Sequence, residues 1–370
     1  MSSPSTRRLL SLDAFRGATI AAMILVNDAG DDKVTYWPLL HAPWHGWTPT
    51  DLVFPFFLFM VGMSLTFSQR QGFRPVLVRA LKLVALGLLV NFCTSGFALA
   101  GWRAAGVLQR IGLCYLLAWL FRRWLGPWGL AALAAGPLVG YWLLMTQVVG
   151  PEGFPPALDM QTNLAAQWDR ILLKGHLYRW TRTRDPEGIL STLPSIATAL
   201  FGVLFGEWLR RERPAFGKAM GFLGGGLALT ALGVFWGEAA PAWLLFPINK
   251  NLWSPSFVCL TAGLAAALFG LTWWAVDVQG WRVGIQPLVT YGRNPIAVYV
   301  GSEVLAGTLD TVRWAGPGSE ARSVHQRLYE TLFPGWLSPA NASLAFALAT
   351  VLLWYLVARE MDRRGIYLKV

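Results

Sequence analysis

The chain is divided into apolar runs of about the 17–25 residues that an α-helix needs to cross a bilayer's hydrocarbon core. One of them, Leu52–Ser68, contains no charged residue. In lipid, every backbone N–H and C=O must find its partner within the chain, so uncharged runs of this length predict membrane-spanning helices. The predicted spans are about 10–28, 51–69, 76–97, 105–121, 128–147, 188–208, 218–236, 255–275, 286–308 and 340–358. Composition agrees, because only 14% of the 370 residues are charged, against about 25% in soluble proteins. Many of the 20 tryptophans fall at run ends, where indoles favour the membrane–water interface. The expected fold class is all-α, a polytopic transmembrane bundle of about ten helices. With no linker and no visible internal repeat, residues 1–370 read as a single domain.

The net charge of +11 would point to nucleic acid in a soluble chain. Here the basic residues crowd into short loops, so topology explains them and no nucleic-acid partner is expected. Arg70, Arg74, Arg122, Arg123, Arg210, Arg211 and Arg213 occupy three such loops, and Arg359, Arg363, Arg364 and Lys369 the tail. Short basic loops mark the cytoplasmic side. An even number of spans then returns both termini to the cytoplasm. Arg7 and Arg8 precede a first run without a small-residue cleavage site, which reads as a retained helix. The longer connections, 29–50, about 148–187, 237–254 and 309–339, fall on the other face and are the expected place for a polar substrate.

Four constellations could carry chemistry. The first is the loop from Asn27 to Asp51, with His41, Trp44 and His45. A histidine there is either an interfacial residue or a general base or nucleophile titrating near neutrality. Asp51 either orients that imidazole or supplies an acid at a helix N-terminus. The second is a set of arginines in or at the ends of apolar runs: Arg16, Arg110 and Arg293. Asp13 one turn before Arg16 predicts an ion pair. Arg110 and Arg293 have no obvious local partner. An anionic ligand within the bundle or a distant carboxylate such as Glu303 would satisfy them. The third is Asn249-Lys250-Asn251 with Trp253, suited to a sugar or a pantetheine chain, or else a polar turn capped by Ser254. The fourth is Asp185 with Glu187, either favouring a helix N-terminus or binding an amine or hydroxyl. The three cysteines lie inside apolar runs without metal-ligand spacing. No phosphate loop, zinc motif or nucleophile elbow is present, and no metal is expected. These features leave enzyme and transporter both open.

The segments Ser11-Leu12-Asp13-Ala14-Phe15-Arg16-Gly17, Asn27, His41 through Pro55, Gly106 through Arg110, Asp185 through Leu190, Asn249 through Ser254 and Asn294, in that order, resemble the heparan-α-glucosaminide N-acetyltransferase family. The opening Leu-Asp-x-x-Arg-Gly is also similar to the wider membrane acyltransferases that use acyl-CoA. The compact chain resembles the family's bacterial members, which implies a multi-pass protein of the bacterial inner membrane among its lipids, with a homodimer as one arrangement. The resemblance implies that cytosolic acetyl-CoA supplies an acetyl group to an amine on a glucosamine-type sugar on the far side. His41 matches the family's active histidine, and His45 stands where the family commonly has a different polar residue. His41 then serves either as an acetyl carrier or as a base in a direct transfer, with Asp51 beside it. Asn27, Arg110, Asn249, Lys250, Asn251, Arg293 and Asn294 become candidates for holding the acetyl-CoA donor. Trp44, His45, Asp185, Glu187 and Trp253 become candidates for the acceptor, a small amino sugar or glycan. The family's Gly-rich stretch after Asn27 is reduced here to Asp28-Ala29-Gly30-Asp31-Asp32, a change beside the site. The competing readings are a sugar permease or exporter, which midmembrane polar residues also fit, and a non-catalytic scaffold.

Overall fold

A computed structural model of the chain describes residues 9–68, 72–98, 101–314, 321–335 and 337–368. Arg7, Arg8, Arg70 and Lys369 lie outside the described residues. Thirteen α-helices follow in order among them: α1 Leu10–Asn27, α2 Val53–Phe67, α3 Phe73–Thr94, α4 Val107–Trp124, α5 Pro127–Gln147, α6 Leu164–Leu172, α7 Thr192–Arg210, α8 Ala215–Val234, α9 Pro255–Trp273, α10 Gln286–Arg293, α11 Pro295–Thr311, α12 Val324–Leu332 and α13 Pro339–Arg363. All ten predicted spans are helical. Among the described residues, eight helices, with their terminal turns, are long and apolar enough to cross a membrane. Helix α4 is not among them, because it carries Arg110, Arg122 and Arg123.

The ninth predicted span is two helices. Asn294 leaves helical geometry at φ −125°, ψ 47°, and Pro295 opens α11. Proline has no N–H to give the preceding turn and pushes the residue before it out of the α region, so the break follows from sequence. The short helices α6 and α12 lie inside two of the long connections. Both are amphipathic at the 3.6-residue period and too short to span.

Helix starts are encoded locally. Ser254 Oγ accepts the Phe257 N–H at 3.3 Å ahead of Pro255 at the first position of α9. This is the predicted serine cap, joined to a proline whose missing N–H costs nothing there. Small residues let the helices close on one another, as bundle packing in lipid requires. A Cβ on Gly17 of α1 would lie 1.7 Å from the Leu288 carbonyl oxygen, and one on Gly292 would lie 1.8 Å from that of Asp13. Backbone therefore meets backbone where α1 crosses α10. Arg16 sits at this crossing, 3.4 Å from Asp13 as expected, and also donates to Ser64 Oγ at 2.8 Å on α2.

Candidate functional site

The end of the bundle away from the short basic loops holds a cavity of about 760 Å³, within the range of small-molecule sites. The C-terminal ends of α1 and α3, the loop 28–51, the loop before α7, the turn at Lys250 and helix α11 enclose it. A second cavity of about 230 Å³ opens toward the basic end, with Arg16, Ser64, Ser68 and Arg79 on its walls. Both cavities are lined by Phe57, Leu108, Ile111, Pro295 and Ile296. These five residues form a shared partition midway along the bundle.

His41 and Asp51 meet on the wall of the large cavity, with Nδ1 of His41 2.7 Å from Asp51 Oδ1. Asp51 is 1% exposed, while the His41 side chain is 53% exposed. The other Asp51 oxygen accepts from the Ala42 N–H at 3.1 Å, the Thr48 N–H at 3.0 Å and Thr48 Oγ1 at 3.2 Å. Thr48 and Asp51 thereby form a capping box at the entry to α2. Both sequence readings of Asp51 hold at once: it caps the entry, and the same carboxylate orients the imidazole. A carboxylate can only accept, so Nδ1 carries the proton of the neutral ring and Nε2 keeps its lone pair. Such a ring can take a proton from a group in the cavity.

Lys250 arrives from the turn before α9. Its Nζ is 3.0 Å from His41 Nδ1, 3.4 Å from Nε2 and 3.5 Å from Asp51 Oδ1. Burial pulls the Lys250 ammonium below its ordinary value, against the attraction of Asp51 and Glu187. Asn27, Asn251 and Glu187 line the same cavity, and Asn27 Nδ2 donates to Glu303 Oε1 at 2.9 Å. Of the predicted residues, the structure thus gathers His41, Asp51, Lys250, Asn251, Asn27 and Glu187.

The others stand elsewhere, and each has a reason. Arg110 lines neither cavity. Its Nη2 donates to Ser191 Oγ at 2.6 Å and the Gly188 carbonyl at 3.1 Å, and its guanidinium lies 5.0 Å from the Trp253 ring. Its partners are those of a packing residue and come from the segments just before α7 and α9. Arg293 pairs with Asp362 on α13 at 2.7 Å, rather than with Glu303 or a ligand. Asn294 Nδ2 donates to the Ile366 carbonyl at 2.9 Å and its Oδ1 accepts from the Leu368 N–H at 3.2 Å, so the break in the ninth span is tied to the C-terminal tail. Asn249 is wholly buried and accepts the Leu252 N–H at 2.9 Å, which shapes the turn that carries Lys250. Trp253 is wholly buried against Phe54 and donates to Thr198 Oγ1 at 3.1 Å. Trp44 donates to the Leu158 carbonyl at 3.0 Å, and His45 Nδ1 lies 3.3 Å from Asn249 Nδ2. Neither of these two lines the cavity. Asp185 is 3% exposed and sealed by Arg103.

Arg103 is a residue that sequence reasoning missed. Its Nε donates to Asp185 Oδ2 at 2.8 Å, and its Nη2 bridges Asp185 and Glu187. Burial opposes the charge on Glu187, but Arg103 and Arg110 hold its carboxyl below the ordinary value. Asp169 on α6 was missed as well. It accepts the N–H groups of Asp185 at 3.2 Å and Ile189 at 3.0 Å, and burial pushes its carboxyl up to about 6. No short motif announces either residue. The amphipathic pattern of α6, which buries Asp169 with its apolar face, is the one signal available.

The family model for "Heparan-alpha-glucosaminide N-acetyltransferase, catalytic" matches residues 8–231. The chain belongs to this family. The human heparan-alpha-glucosaminide N-acetyltransferase (Homo sapiens) is 29% identical over 426 aligned residues, covering 98% of this chain and 60% of its own length. The mouse protein of the same name (Mus musculus) is 28% identical over 363, covering 81% of this chain and 54% of its own. The chain therefore spans little more than half the length of the curated relatives it matches. Within this member of the family, the matched region holds His41, Asp51, Arg103 and Glu187, while Lys250, Asn251 and Glu303 lie beyond it.

Proposed function

We propose that the chain is a transmembrane acetyltransferase. It takes an acetyl group from acetyl-CoA at the cytoplasmic face of the inner membrane and delivers it to the amine of a glucosamine-type sugar at the opposite face. The observation that carries this reading is the His41–Asp51 pair, fixed on the wall of the large cavity with Nε2 as the ring's acceptor nitrogen beside Lys250. Family membership supports the reaction class.

The chain's own groups fit a direct transfer. The acceptor nitrogen attacks the thioester carbon, and His41 Nε2 takes its proton as the C–N bond forms. The carbonyl electron pair moves to oxygen. On collapse the C–S bond breaks, and the departing thiolate recovers a proton from the imidazolium. Asp51 steadies the positive ring, as the acid of a triad does. The oxyanion falls within reach of Lys250, 3.4 Å from Nε2, and preorganised donors at that position are the most valuable part of such a site. An acetyl-imidazole on His41 would use the same nitrogen. A burst of CoA release without acceptor would mark that route instead.

The donor's route is supported by the two cavities that share a partition. The smaller one offers Arg16 and Arg79 with Ser64 and Ser68, groups of the kind that hold phosphate oxygens. A thioester threaded past Phe57 and Ile296 would emerge beside His41. The deciding experiment is CoA release by the purified full chain against a panel of amino sugars. Release that requires both an amino sugar and His41 supports the proposal. A well-folded protein that binds no acyl-CoA would overturn it and direct attention to sugar flux in liposomes.

A further inference from the structure

The wall of the large cavity formed by the end of α1 and by α11 is acidic. Asp28, Glu303 and Asp310 all line it. Two of the three are engaged: Glu303 accepts from Asn27, and Asp310 lies 3.6 Å from His325. Asp28 differs from both. It is 8% exposed, and among the described residues its side chain has no hydrogen bond and no ion pair. It also directly follows the last turn of α1. A carboxylate there meets the negative end of the helix dipole, which penalises it. Burial without a partner penalises it again. Of the cations on the rest of the cavity wall, Arg184 lies over the Trp44 ring, and among the described residues the only charges that bear on Asp28 are those of Glu303 and Asp310. Arg103 holds Asp185 and Glu187, Lys250 lies beside Asp51, and Arg179 donates to the Thr94 carbonyl. Nothing in the fold rewards this carboxylate, whereas a cation entering the cavity would.

We propose that Asp28, with Glu303 and Asp310 beside it, is the subsite that receives the acceptor as a cationic amine, so that this chain takes a small amino sugar without negative charge in preference to an anionic glycan. The inference rests on the acetyltransferase reading of the same cavity and names the acceptor's chemistry: the seated ammonium gives one proton to the Asp28 carboxylate, and the neutral amine so formed attacks and gives its second proton to His41. Without a cation, burial together with Glu303 and Asp310 pushes the Asp28 carboxyl up to about 8, and a seated ammonium supplies the missing counter-charge. An anionic group brought to the same wall meets acidic side chains instead of a counter-charge, a specificity device that acts by repulsion.

The test is equilibrium dialysis of labelled glucosamine with the full chain in nanodiscs at neutral pH, without acetyl-CoA. The competitors are N-acetylglucosamine and glucosamine 6-sulfate. Glucosamine should bind the wild type and His41→Ala alike, and bind Asp28→Asn about 10-fold or more weakly, as loss of a charge-assisted contact predicts. Asp310→Asn, at an exposed position, should lose only about 2–3-fold. The sulfated competitor should gain on glucosamine in Asp28→Asn. Equal binding of glucosamine by wild type and Asp28→Asn, or no binding by the wild type, overturns the subsite. Asp28-dependent binding with no acetyl transfer to any acceptor would leave the subsite standing and sink the acetyltransferase reading. Transfer that is indifferent to Asp28 would do the reverse.

Discussion

Two charged clusters border the large cavity, and they are built on opposite principles. Arg103, Asp185 and Glu187 form a closed set, with both carboxylates tied to one guanidinium and the Asp185 side chain sealed from solvent. His41, Asp51 and Lys250 form an open set. Asp51 is just as buried, but it spends itself holding the loop and one ring nitrogen, and the rest of the imidazole projects into the cavity. The closed set holds the loop before α7 in place. The open set leaves a lone pair and an ammonium available for chemistry. Each set has a cation beside a buried carboxylate. Unspent hydrogen-bonding capacity at the cavity wall separates them.

The comparison can be broken from either side. His41→Ala should lower acetyl transfer by about 10²–10⁴-fold, the usual worth of a positioned general base. Its unfolding midpoint should barely move, because the ring is half exposed. A variant that retains most of its turnover would remove His41 from the chemistry. Arg103→Ala should do the opposite and strike stability first. Leaving two carboxylates without their cation typically costs about 3–5 kcal/mol, readable as a lower unfolding midpoint of the purified protein. An unchanged midpoint would mean the cluster is not structural.

Asp51→Asn lies between these extremes and sharpens the contrast. It keeps the shape but favours the wrong ring tautomer, so kcat should fall by at least about 100-fold. It should also weaken the capping box by about 1 kcal/mol. A loss confined to KM would contradict the orienting role. A further effect should appear with pH. Asp28 titrates near 8 in the folded protein against an ordinary value of 3.8. The folded state therefore holds a proton there that the unfolded chain has released. Stability from this group is complete below about pH 4 and is lost as pH rises through about 8. Asp28→Asn should flatten that part of the stability profile, and a parallel profile would show that Asp28 is not the group responsible. The smallest effect is expected at Arg293→Ala. The pair with Asp362 is partly exposed, so about 1 kcal/mol or less is at stake. Acetyl transfer should be unchanged, since Arg293 lines neither cavity.

The contrast between Arg293 and His41 also shows how far a sequence can be read. Both stand out in the sequence, Arg293 as a charge at an apolar run and His41 as a histidine in the loop between the first two spans. Arg293 found a partner on α13, a helix far along the chain, and lines neither cavity. Arg110 likewise lines neither and lies against Ser191 and Trp253. His41 and Asp51 are ten residues apart in one loop, close enough for a local motif to hold the pair. Lys250 needed the turn before α9 to reach them, yet its own segment had marked it. Arg103 and Asp169 carry no mark at all, because an arginine and an aspartate in connecting segments read as ordinary surface residues until the fold buries them together.

The sequence by itself determined the bundle. The length of each apolar run, the proline that breaks the ninth span, the serine cap of α9 and the capping box at Thr48–Asp51 are local, one-dimensional features. Lipid leaves the backbone no alternative to a helix. Only the tertiary structure decided which charges are spent on one another and which remain for a ligand. Ion pairing depends on distances of a few ångströms between residues far apart in the chain. Those distances exist only after helices such as α1 and α10 have closed backbone to backbone at Gly17 and Gly292.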